Sequence, residues 1–136
     1  MESYTSETKL EEGMRCCTSM RRQDADAFCT DVPTALGGKG EKATPGEMLA
    51  ATVASCMLSM LAFTGKRRGL DTRGMSICAR CGEGPQGIGS LHFLITVPQP
   101  MDDEQKNLLE HAALNCPVGQ AIRPEITREI IWRWEK

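Results

Sequence analysis

The chain has 136 residues and a net charge of −2, which suits one domain with a real core and leaves too little for two. Its longest basic runs, Arg21-Arg22 and Lys66-Arg67-Arg68, are too short to track nucleic-acid phosphates, so no nucleic-acid partner is expected. The seven cysteines are an odd count, and the opening M-E-S-Y-T-S-E-T-K-L-E-E-G is polar and acidic, unlike a signal peptide; a cytoplasmic protein with free thiols is the expectation.

Residues 4–30 predict β-structure with one wet face. The strands are Tyr4–Glu11, Met14–Arg21 and Ala27–Thr30, separated by turns at Gly13 and around Gln23–Asp26. Val32–Ala43 is a loop with Gly37, Gly38 and Gly40, and it lacks the Walker pattern that would make it a phosphate cradle. Thr44-Pro45-Gly46-Glu47 then reads as a capping box, with Thr44 at the N-cap and proline where its missing N–H costs nothing. From Met48 to Phe63 the only polar residues are Thr52, Ser55, Ser59 and Cys56. A helix apolar all round is expected to be buried on every side. Its 16 residues fall short of the roughly 18–20 that cross a bilayer, so no membrane association is expected. Gly65 offers a left-handed C-cap, and Lys66, Arg67 and Arg68 suit the negative end of the helix dipole.

Met75, Ile77, Ala79 and Cys81 fall on one face of the next strand. A turn over Gly82–Gly89 leads to a second strand with Leu91, Phe93, Ile95 and Val97 inward, stopped at Pro98–Pro100. Asp102 and Gln105 cap a helix whose inner stripe is Leu108, Leu109, Ala112 and Ala113. Asn115-Cys116-Pro117 breaks that helix and starts a short one, and Ile126–Trp134 closes the chain as a strand with Ile130, Trp132 and Trp134 on one face. The order implies a single α+β domain over 1–136, with a mainly antiparallel sheet around a long buried helix. One sheet cannot cover such a helix on two sides, so a homodimer packed around these helices is expected.

Cys78-Ala79-Arg80-Cys81 has a zinc-like spacing, but strand residues three apart point to opposite faces. No second C-x-x-C exists, and His92 and His111 lie far apart; neither a metal nor a cofactor is expected. Cys16, Cys17 and Cys29 read as small strand-filling residues. Cys116, before Pro117 and near a helix N-terminus, sits where aligned N–H groups lower a thiol's pKa. Cys56 is mid-helix, where burial raises a thiol's pKa. It is either an inert core residue or a nucleophile served by a cation from another element.

Three segments together resemble the OsmC/Ohr family of thiol-dependent hydroperoxide reductases. They are P-T-A-L-G-G-K-G-E-K-A-T-P-G-E-M-L-A-A-T-V-A-S-C, R-R-G-L-D-T-R-G-M and A-A-L-N-C-P-V, and the likeness covers about residues 30–134. The resemblance implies an intertwined homodimer with active sites at the subunit interface. It implies a peroxidase in which Cys56 is the peroxidatic thiol and Cys116 the resolving one, acting on organic hydroperoxides or hydrogen peroxide and reset by an external dithiol. It also implies an early-strand arginine that holds the peroxidatic cysteine as thiolate. Arg15, eighteen residues before Pro33, stands in the similar place, with Arg21 and Arg22 as alternatives. The organic-hydroperoxide branch carries a glutamate directly after the proline; here Gly46 does, and Glu47 follows. Nine residues of helix put Glu47 about 13 Å along the axis from Cys56, so Glu47 reads as a cap first and an arginine partner second. The P-x-E-L spacing is more similar to other OsmC-like branches. It keeps open an alternative, a non-catalytic dimer binding a small hydrophobic or sulfur-containing ligand.

Overall fold

The computed structural model describes residues 3–22 and 28–135, so the expected turn at Gln23–Asp26 and the start of the third strand at Ala27 lie outside the described residues. The chain divides into two compact units, with the boundary between Met48 and Leu49.

In the first unit β1 (Ser6–Leu10), β2 (Cys16–Met20) and β3 (Phe28–Thr30) form an antiparallel sheet in the order β1-β2-β3. The register sets Cys17 directly opposite Cys29, 4.1 Å apart at Cα, and the two are joined in a disulfide. That corrects the expectation of free thiols here. Cys16, one residue earlier, points to the other face of the strand and stays free. The glycine loop after β3 is organised by Asp31, whose side chain is only 2% exposed. Its carboxylate accepts hydrogen bonds from the backbone N–H groups of Val32 (2.8 Å), Lys39 (3.3 Å) and Glu41 (3.5 Å). A Cβ on Gly38 would strike the Val32 carbonyl oxygen and stand 2.7 Å from Asp31 Oδ1, which is why the loop needs glycine there. The amides that might have cradled an external phosphate are spent on an internal carboxylate. These N–H bonds, Val32 first, outweigh burial and, with the nearby Arg15 charge, hold Asp31 below the usual carboxylate range.

Helix α1 runs from Pro45 to Arg68. The capping box is present: Glu47 N–H donates to Thr44 Oγ1 (3.1 Å), and Thr44 N–H to Glu47 Oε1 (2.9 Å). The C-terminus differs from expectation. Gly65 is inside the helix, and the left-handed residue is Gly69 (φ 70°), with Leu70 N–H closing back on the Gly65 carbonyl at 2.8 Å. That 6→1 bond is a Schellman ending, one turn later than the first available glycine. Gly65 is needed for a different reason: a Cβ there would strike Thr72 Cγ2 and sit 3.2 Å from the Leu70 carbonyl oxygen. At 24 residues and with its apolar composition the helix is long enough to cross a membrane, which corrects the shorter span expected. Within the single chain one stripe of it packs into the core.

In the second unit β4 (Ser76–Gly84) and β5 (Gly87–Val97) pair antiparallel, with a register shift at Gly82/Glu83. The turn shrinks to Pro85 and Gln86, because Gly84 and Gly89 approach so closely that neither can carry a side chain. Helix α2 (Asp103–Leu114) begins with the expected Asp102/Gln105 capping box, α3 (Pro117–Gln120) follows, and β6 (Thr127–Trp134) returns beside β5. The β5–β6 pairing is parallel, so the sheet is mixed in the order β4-β5-β6. The chain is α+β, as expected, with one antiparallel sheet and one mixed sheet. The core of this unit joins Val53, Met57 and Leu61 of α1, Leu91, Phe93, Ile95 and Val97 of β5, and Leu109, Ala112 and Ala113 of α2. Trp132 and Trp134 stack along β6, ring centroids 4.7 Å apart.

The expectation that α1 is buried all round does not hold for the single chain. Ala50, Val53, Ala54, Met57, Leu61 and Gly65 make one buried stripe, while Ala51, Ser55, Ser59, Ala62 and Phe63 are exposed. Three of the helix's polar residues, Thr52, Ser55 and Ser59, fall on that exposed face beside the alanines and Phe63.

Two outcomes follow for stability. Gly65→Ala should destabilise by about 1–3 kcal/mol through overpacking against Thr72, outweighing the ~1 kcal/mol that alanine gains in helix propensity. Urea unfolding of Gly65→Ala and of Gly65→Ala/Thr72→Ser checks this, since the second change removes the struck methyl and should restore most of the loss. Asp31→Asn should lower the melting temperature at pH 7. A depressed native pKa stabilises above the unfolded value and is lost as pH falls through the native one, so the gap between variant and wild type should narrow on acidification below about pH 4.

Candidate active site: two thiols at one helix N-terminus

Cys56 lies mid-way along α1, half-buried at the margin between the core stripe and the exposed face. Cys116 is placed by the way α2 stops. Asn115 Nδ2 donates to the His111 carbonyl (2.8 Å) and Gln120 Nε2 to the Leu114 carbonyl (2.9 Å), which closes the helix. Pro117 then holds the preceding residue out of the helical region, and Cys116 takes an extended conformation (φ −70°, ψ 137°) as the N-cap of α3. It is fully buried.

The first amides of α3 serve both sulfurs. Gly119 N–H donates to Cys116 Sγ at 3.3 Å, and Val118 N–H donates to Cys56 Sγ at 3.5 Å. Cysteines 60 residues apart in the sequence are thereby brought to one place. The pKa of Cys116 moves against expectation. Burial pushes the thiol up, and a hydrogen bond with Cys56 and the Cys56 charge push the same way; the Gly119 N–H and the Arg128 charge pull down without prevailing. Cys116 is thus held as a neutral thiol at neutral pH.

The other expected site residues have other partners. In the first unit Arg15 Nη2 bonds Glu41 Oε1 at 3.1 Å and lies 3.7 Å from Asp31 Oδ2, while its Nε is buried without a partner. Arg21 and Arg22 are exposed just past β2. Glu47 caps α1 as described. Cys78 and Cys81 lie within β4, the first exposed and the second against the core. No metal-binding cluster occurs among the described residues.

The sequence reading missed Arg128. On β6 the inward phase runs Ile126, Arg128, Ile130, Trp132, Trp134, all partly buried. An arginine among those residues is the signal that continuing the Ile130–Trp134 face two residues back would have found. Its Nη1 is buried with no hydrogen-bond partner. One turn along α1 from Cys56, a groove of about 330 Å³ begins at Met60 and is lined further by Phe63, Arg67, Leu108, His111 and Ala112.

The family model for OsmC-like proteins matches residues 38–130, a span that holds both thiols and Arg128. No curated protein matches the chain. Among solved structures, one from Psychrobacter arcticus, described as an osmotic stress induced and detoxification response protein, is 28% identical with a TM-score of 0.87, covering 95% of each chain. Organic hydroperoxide resistance proteins from Elizabethkingia anophelis (24% identity, TM-score 0.74, 96% of each chain) and Legionella pneumophila (19%, 0.74, 96% of this chain and 97% of the other) share the fold. The chain belongs to the OsmC-like protein family.

Proposed function

We propose that this protein is a thiol-dependent peroxidase that reduces organic hydroperoxides or hydrogen peroxide, its two units working as one domain within a homodimer. The observation that carries this reading is the convergence of Cys56 and Cys116 on adjacent amides of α3. In the first step the Cys56 thiolate attacks the O–O bond, taking one oxygen as sulfenic acid while the departing alkoxide picks up a proton. In the second, Cys116 attacks the Cys56 sulfur, the S–O bond breaks, a disulfide forms and water leaves. An external dithiol, in keeping with a cytoplasmic setting, returns both thiols by exchange.

The chemistry of the site supports these roles. A buried neutral thiol at Cys116 does not compete for peroxide and waits for an electrophilic sulfur. The groove that begins at Met60 and Phe63 offers apolar wall to an organic hydroperoxide. By resemblance, Arg15 is the cation that favours the Cys56 thiolate, its guanidinium ordered by Glu41 and Asp31. Glu47, engaged as the helix cap, contributes to the site by fixing the start of α1. The competing reading, a non-catalytic dimer that binds a small hydrophobic or sulfur-containing ligand, draws on Gly46 standing where a glutamate follows the proline in the organic-hydroperoxide branch. The small exposed residues Ala51, Ser55, Ser59 and Ala62 support α1 packing against a second copy.

One equivalent of cumene hydroperoxide should cut the five free thiols to three, and peptide mapping should return a Cys56–Cys116 disulfide. Both cysteines recovered reduced would leave the non-catalytic reading standing in its place. For the assembly, Ala62→Glu puts a charge on the open face of α1 and should shift the protein to monomer in light scattering. An unchanged dimer would place the interface elsewhere.

A further inference from the structure

Arg128 has a cost without a visible return in the resting fold. It occupies the inward phase of β6 between Ile126 and Ile130, its Nη1 is buried with no hydrogen-bond partner, and no carboxylate pairs with it among the described residues. A guanidinium so placed is destabilising unless something it faces becomes negative. What it faces is set by Gly119. A Cβ at that buried glycine would stand 2.7 Å from Cys116 Sγ and closer still to Arg128 Nη1. Both atoms crowd the same point, so they are no more than about 5 Å apart, inside the ~4–6 Å over which a cation favours a thiolate. Any side chain at position 119 would part them.

From this geometry we infer that Arg128 is a positioning residue for the resolving half of the reaction, the cation that receives the negative charge as it develops on Cys116 Sγ. The inference rests on the peroxidase reading and adds a division of labour to it. Cys116 waits as a neutral thiol, and its charge appears at two moments. When it resolves the Cys56 sulfenic acid, its S–H proton leaves, the sulfur attacks, the S–O bond breaks, and the departing hydroxide takes up a proton as water. When an external thiolate attacks the half-buried Cys56 sulfur of the disulfide, the S–S bond breaks and the Cys116 thiolate is the leaving group. The first product is then a mixed disulfide on Cys56, and a second thiol of the reductant releases it. A leaving thiol of lower pKa departs faster, and Arg128 is the one cation whose charge acts on Cys116 among the described residues. The attack of Cys56 on peroxide places no charge on Cys116 and does not need Arg128.

Rapid mixing of wild type, Arg128→Met and Arg128→Lys with one equivalent of cumene hydroperoxide separates the two steps, because peroxide loss and disulfide formation are read independently. Arg128→Met should leave peroxide loss within about twofold and slow disulfide formation about tenfold or more, the change that one unit of thiol pKa brings. The pH midpoint of that phase should rise, and Arg128→Lys should retain most of the rate and the wild-type midpoint. Equal slowing of both steps, or a disulfide phase of unchanged rate and midpoint, overturns the proposal. A second readout does not depend on peroxide. In the Cys56→Ser background, NMR titration of carbon-labelled Cys116 should show its midpoint rise when Arg128→Met is added, and an unmoved midpoint overturns the proposal. If wild type consumes no peroxide while this titration shifts, the peroxidase reading fails and the Arg128–Cys116 couple stands.

Discussion

The N–H groups of Val118 and Gly119 each reach a different sulfur, Cys56 at 3.5 Å and Cys116 at 3.3 Å, and the thiol centre depends on that pair of bonds. They exist because α2 is stopped at Asn115 and restarted at Pro117. A proline cannot continue a helix, and it forces the residue before it into extended backbone. Had α2 run on, its amides would have been spent on its own carbonyls and Cys116 would have turned with the helix. The same stop makes Cys116 an N-cap, a place where a sulfur can accept from the backbone. Gly119 then supplies both an N–H for Cys116 and the empty volume into which Arg128 extends.

Burial sets the two cysteines apart. Cys116 is enclosed by the core, and loss of solvation outweighs the amide and the guanidinium that favour its ionised form. Cys56 sits half-buried at the edge of the α1 core stripe, one helical turn from the groove that begins at Met60. In the proposed two-cysteine cycle the peroxide meets the half-buried sulfur first and the partner thiol stays protonated until needed. The proposed dimer draws on the open face of α1. There the small side chains of Ala51, Ser55, Ser59 and Ala62 are left uncovered in the single chain.

Features written in local chemistry were legible in the sequence. Thr44 with Glu47, and Asp102 with Gln105, announced both helix starts, because capping boxes are set by residues three apart. The alternation of Leu91, Phe93, Ile95 and Val97 announced β5 and its buried face. Cys116-Pro117 announced the break. Features that depend on what lies across space were not legible. The Cys17–Cys29 bond follows from a register that only the strand pairing reveals. Gly65 has the residue type of a C-cap, but its role is close packing against Thr72, and the helix ends at Gly69. The fall expected in the Cys116 pKa came from the helix N-terminus alone and missed how deeply the core encloses the sulfur. Arg128 was hidden because a charge on a strand is ordinarily read as solvated.

The central claim is that Cys56 is the sulfur that meets peroxide and Cys116 the sulfur that waits. Mass spectrometry of Cys116→Ser, exposed to one equivalent of cumene hydroperoxide in the presence of dimedone, tests it most directly. With the resolving thiol gone, the account predicts one dimedone adduct per chain, on Cys56. No adduct, or an adduct on Cys16, Cys78 or Cys81 in its place, would contradict it.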